Sequence, residues 1–182
     1  MKSIKELLIQ CWYDKVDMEI VREWASAFII KNDDIPEQIF DLLSCDRYQV
    51  EVLLSESLRS QREELSKQSE EAEILSAQLL IDVATKYLNG QGAPMDVCRV
   101  VDNIDANFVG AQRGLPDNIA YYPSWLGNLW NSCDWCDEEW TRESAPRLKE
   151  DLSVQLNNIS TWVESHNKRL KVKDGAEHRP LA

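Results

Sequence analysis

No apolar run in these 182 residues approaches the roughly 18–20 that a helix needs to cross a bilayer, which excludes an ordinary membrane-spanning helix. The opening Met1-Lys-Ser-Ile-Lys-Glu-Leu-Leu8 sets an acid inside what would have to be the apolar part of a signal peptide. No small-residue cleavage site follows, so a cytoplasmic protein is expected. Histidine is scarce, with only His166 and His178 present. The chain has no Glu-x-x-His pair of the di-iron bundles and no His-Glu-x-x-His. A Gly-x-Ser-x-Gly elbow, a phosphate loop ending in Lys-Ser or Lys-Thr, and an EF-hand loop are also missing. With no recognisable catalytic apparatus, the expectation is a non-enzymatic protein that uses no metal and no cofactor.

Basic residues are few for the length: 20 Lys and Arg stand against 32 Asp and Glu, a net charge of −12. Such a surface repels nucleic acid and anionic membrane, and it steers a basic protein onto itself. Cysteine is odd in number at five. Cys11, Cys45 and Cys98 are isolated in apolar stretches, which suits reduced, buried thiols better than a disulfide framework. Cys133-Asp-Trp-Cys136 is the one metal-like spacing. A structural zinc ion needs four ligands, normally from two such pairs. A redox thiol needs a cation or a helix N-terminus to lower its pKa, whereas Asp134, Asp137, Glu138 and Glu139 would raise it. Packing on one helical turn is therefore expected, with a metal or thiol enzyme as the alternative.

No segment alternates with period two for long enough to demand a strand, whereas helical periods are plentiful. The predicted class is all-α: a single-domain bundle of seven to eight helices over residues 1–173, followed by a disordered tail, 174–182. Ser3-Ile-Lys-Glu6 is a capping box opening a helix over 4–12. Asp17 caps a second, with Ile20, Val21, Trp24, Ala25, Phe28 and Ile29 on one face. Pro36 opens a short third helix. Val50, Leu53, Leu54, Leu58 and Leu65 mark a fourth, whose polar end, Ser60 to Glu73, reads as a helical extension or a linker. Ile74 to Leu88 is apolar on most sides, hence central, and Asn89-Gly90 stops it. Pro94 opens a helix carrying Val97, Val101, Ile104 and Phe108. Gly110, Gly114 and Pro116 then mark a long loop, a candidate functional one. Pro146 opens the last helix, on whose apolar stripe His166 stands as a boundary residue.

The stretch Tyr121–Trp140 concentrates four of the seven tryptophans. It predicts a helix from Pro123-Ser124 to about Cys136, with an acidic exit. Trp125, Trp130, Trp135 and Trp140 recur every five residues, which at about 100° per residue scatters them round a helix. Some must be buried and others exposed, with Gly127 allowing close approach of another helix. Two alternatives stay open: all four are core, or part of the segment is a binding face of Tyr121, Tyr122, Trp130, Asp134, Trp135, Asp137, Glu138, Glu139 and Trp140. Aromatic residues dominate interface energies, and five acids against one arginine between Tyr121 and Glu143 would complement a basic partner.

Cys11-Trp-Tyr-Asp-x-Val16 with Val21-x-x-Trp24-Ala25, together with Tyr122-Pro-x-Trp-Leu-Gly127 and Cys133-Asp-Trp-Cys-Asp137, resembles small all-helical bacterial immunity proteins. Those proteins accompany contact-dependent or colicin-like toxins. The resemblance implies a non-enzymatic inhibitor that binds one cognate toxin domain, a basic nuclease such as an RNase, by stoichiometric complex formation. A helical adaptor or regulatory module unrelated to toxins is the alternative.

Overall fold

A computed structural model describes residues 2–107, 123–134 and 136–177, and among these there are eight α-helices and no strand. They are α1 (Ile4–Tyr13), α2 (Met18–Lys31), α3 (Glu37–Asp41), α4 (Val50–Ser60), α5 (Glu70–Leu88), α6 (Pro94–Asn107), α7 (Leu129–Cys133) and α8 (Pro146–Glu177). The all-α class is thus what the chain adopts. The Gly110–Pro116 loop and Phe108 lie outside the described residues, as does 178–182 of the expected tail; Asp174–Glu177 belong to α8.

Local chemistry sets the boundaries. The Ser3 capping box forms, the Ser3 hydroxyl accepting from the Glu6 amide at 3.2 Å. Asp17 accepts from the Glu19 amide at 2.9 Å, and so caps α2. At the end of α5, Gly90 takes φ +92° while the Gln91 amide donates back to the Lys86 carbonyl at 2.9 Å. That is the left-handed cap foreseen from Asn89-Gly90. The same device closes α4 without glycine: Arg62 sits at φ +60° and the Glu63 amide donates to the Leu58 carbonyl at 2.9 Å. The polar run after Ser60 is therefore not an extension of α4: Leu65 lies outside that helix, residues 61–69 are turns and irregular chain, and Glu70–Glu73 already belong to α5. Ser69 accepts from the Ala72 amide at 3.1 Å and starts α5 earlier than hydropathy suggests.

Two apolar clusters form the core. Leu7, Leu8, Val21, Trp24, Ile39, Leu42, Val50 and Leu54 gather α1 to α4; Ile9, Tyr13, Leu80, Val97, Ile104, Leu126, Leu148 and Ile159 gather α1 with α5 to α8. Helix α1 belongs to both. Leu7, Leu8, Ile9 and Tyr13 are each at most 1 % exposed, and burial of such side chains contributes roughly 1.5–3 kcal/mol apiece. Half-buried Trp12 and Leu65 touch both clusters, and the Trp12 indole N–H donates to Glu51 at 2.9 Å. Helix α5 is the central helix of the second cluster, packed on α1, α6 and α8.

The Tyr121–Trp140 stretch differs from the single helix predicted for it. Its described part holds a 3₁₀ turn (Ser124–Leu126), a break at Gly127 and only then α7. Gly127 has φ +58° and ψ −136°, which side chains strongly disfavour. A Cβ there would lie 2.7 Å from the Gln155 amide of α8. Gln155 in turn donates to the Trp125 carbonyl at 2.7 Å. The close approach expected at Gly127 is real, and it fastens this turn to α8. Gly127→Ala is expected to lower unfolding free energy by about 1–3 kcal/mol, through backbone strain and loss of the Gln155 bond. Urea denaturation checks this, and an unchanged midpoint would contradict it.

Candidate protein-binding surfaces

Of the face expected between Tyr121 and Trp140, residues Tyr121, Tyr122 and Trp135 lie outside the described residues. The rest divides as the five-residue spacing requires. Trp125 is 3 % exposed, whereas Trp130, on the short α7, is 42 % exposed. Asp134, Asp137, Glu138 and Glu139 are all exposed in the turns that follow. The Asp137 carboxylate accepts from the Glu139 amide at 2.9 Å, which fixes the acidic turn. Trp140 does not join this surface: it is half-buried and packs on the second core cluster. One exposed tryptophan beside four carboxylates is what remains of the expected face.

The buried tryptophan belongs to a polar path through the core. The Trp125 indole N–H donates to Glu73 at 3.1 Å, and Glu73 is 4 % exposed. A buried indole donor needs such an acceptor. The Trp125 and Trp162 rings lie 5.8 Å apart between centroids, and His166 stacks on Trp162 at 3.9 Å. His166 Nδ1 is also 2.8 Å from the Trp162 carbonyl. His166 is thus the bonded boundary residue expected of it.

The thiols hold one arrangement that spacing along the chain did not reveal. Cys98 of α6 shares the second core cluster with Cys133, and Cys136 packs against the same cluster. The Cys133 contact and then burial push Cys98 up from the ordinary thiol value. Cys136 is raised by burial first, then by Cys98, with Asp102 and Asp137 adding to the effect. A protonated thiol is a poor nucleophile. No group of three or more Cys, His, Asp or Glu among the described residues is arranged to hold a metal ion. Cys98 is the buried thiol expected from its apolar surroundings, but its nearness to the Cys133 pair has no mark in sequence, since no other cysteine stands close to it along the chain.

A second surface, at the end of α3 and the start of α4, lies outside the expected face. Phe40, Leu43, Tyr48 and Val52 are 48, 37, 89 and 55 % exposed. The available signal is periodicity. Val50, Leu54 and Leu58 share the buried stripe of α4, and Val52 falls about 200° round the helix from Val50, off that stripe and toward water.

The raised thiols carry a consequence for stability. Burial first, then the charge of Glu51, raises Cys11 from 9.0 to about 12. The unfolded chain releases this proton near pH 9.0 while the folded chain retains it to about 12. The folded state therefore binds more protons in that window, and stability falls as pH rises through it. Urea midpoints are expected to hold steady below about pH 8 and then to drop, with Cys11→Ser removing part of the drop; a midpoint that rises above pH 9.0 would contradict this. No family model, curated protein or solved structure matches this chain.

Proposed function

We propose that this chain is an immunity-type protein that binds a basic toxin domain, such as an RNase, and neutralises it by occupying its surface in a stoichiometric complex. The observation that carries the proposal is the setting of exposed apolar anchors among carboxylates on a chain of net charge −12. Two separate surfaces offer this setting, and one of them suffices to seat a partner: Trp130 with Asp134, Asp137, Glu138 and Glu139, or the α3–α4 surface. An RNase cleft is lined with cations that hold phosphates, and a rigid acidic surface competes for those same groups. The apolar anchors then supply the contacts that slow dissociation. No catalysis by the chain itself is required, and it would act in the cytoplasm, where such a toxin meets its substrate.

Mixing the purified protein with the toxic domain encoded beside its gene is expected to abolish toxin activity at one-to-one stoichiometry. Association should slow as salt rises from low to physiological concentration, because steering between exposed charges is screened. Full toxin activity in the presence of excess protein would remove the proposal. The salt series separates steered binding from a purely apolar contact, whose on-rate would barely change.

A further inference from the structure

We infer that the surface made by the end of α3 and the start of α4 is the face that seats a basic protein partner. The inference rests on the immunity-type reading and names where its partner docks. Half of the large apolar side chains exposed among the described residues stand here: Phe40, Leu43, Tyr48 and Val52. Tyr48 and Val52 meet in one groove, and exposed apolar surface of this kind is unfavourable in water by the same area term that drives burial, which marks a contact surface.

The surface is shaped as well as apolar. Tyr48 and Val52 line a groove of about 400 Å³ together with Asp41, Ser44 and Gln49. Tyr48 also borders a second groove of about 390 Å³, which runs toward Asp14 and Glu51. The tyrosine ring is thus a ridge between two depressions. Beneath it the backbone is held firmly. Ile39, Leu42, Val50 and Leu54 are each at most 1 % exposed. The Asp46 carboxylate accepts from the Tyr48 amide at 2.8 Å and the Gln49 amide at 3.1 Å. A partner therefore meets a preorganised surface and loses little affinity to ordering it.

Charge selects the occupant. Between Asn32 and Leu58 the chain has seven acids and one base, a balance of −6, which is half of the net −12 of the whole chain. A second copy would bring like charge against like, and nucleic acid or anionic lipid would be repelled in the same way. The cations of the second groove are Lys15, Arg47 and Arg99, and Arg99 is already paired with Asp14 and Asp96 at 2.9 Å each. Lys15 and Arg47 keep that groove from being acidic, so the acidic side is the first groove, lined by Asp41 and by no cation. A cationic protein face that presents apolar contacts for the tyrosine ridge matches it. Compared with the α7 exit, where Trp130 stands alone, this surface offers more anchors on a better-supported backbone.

The test titrates the toxic domain encoded beside the gene, in a catalytically inactive form, into the full chain and into Phe40→Ala, Tyr48→Ala and Trp130→Ala variants. All three side chains are exposed, and circular dichroism melts confirm that each variant folds. Tyr48→Ala is expected to weaken Kd by about thirtyfold, as an interface anchor does, and Phe40→Ala by a smaller factor, while Trp130→Ala leaves it within about threefold. If Trp130→Ala alone weakens binding, the partner seats at α7: the inference is overturned while the immunity reading stands. If the unaltered chain forms no complex, the immunity reading falls and the inference with it. Sedimentation of each protein alone supplies the remaining arm. A dimer that Tyr48→Ala converts to monomer would show that a second copy covers this face, which also overturns the inference.

Discussion

Everything in this fold depends on α1 being buried on two sides. Leu7 and Leu8 point into the cluster shared with α2, α3 and α4, whereas Ile9 and Tyr13 belong to the cluster built by α5 to α8. A helix of ten residues is marginal alone in water, so its stability comes from these two contacts rather than from its own backbone. The coupling runs both ways. Without α1 the short α4 would lose the wall on which its apolar face rests, and α5 would expose the side it packs on α1. Trp12 reinforces the joint: its ring touches both clusters, its indole N–H bonds Glu51 of α4, and Lys67 lies 5.1 Å above it from the turn before α5.

This joint explains how a small chain can keep apolar side chains on its surface. The segment from Glu37 to Leu54 is anchored from below by Ile39, Leu42, Val50 and Leu54, all within the cluster that α1 closes. Phe40, Tyr48 and Val52 are then displayed by a support that does not depend on them. Their exposure is a property of the surface and not a sign of an incomplete core. The carboxylates of this segment repel a second copy of the same patch.

Helix positions were legible because their signals are local. The Ser3–Glu6 box, the Asp17 cap, Asn89-Gly90 and the opening Pro94 and Pro146 all act within a turn of where they stand in sequence. Two local features misled. Arg62 adopts a left-handed conformation without being glycine, so the end of α4 carried no sequence mark. Gly127 interrupts an otherwise helical pattern because Gln155 of α8 approaches it, a tertiary cause that is invisible in spacing. The scatter of the tryptophans was foreseen from geometry, but which of them would be covered was not. Trp125 is buried because Glu73, itself at a position that reads as polar and solvated, supplies its acceptor. Tyr48 and Val52 stand off the apolar period, and that they line one groove with Asp41, Ser44 and Gln49 appears only in the fold.

The central claim is that a rigid, acidic corner of α3 and α4 carries the binding function. Hydrogen–deuterium exchange of the chain, free and in complex with a basic toxin domain of the kind proposed as its partner, addresses it most directly because it maps the contact without altering any residue. The account predicts slowed exchange across Glu37 to Leu53 on complex formation, with the helical core of α5 and α8 unchanged. Slowed exchange confined to Leu129–Trp140, with α3 and α4 exchanging as in the free protein, would contradict it.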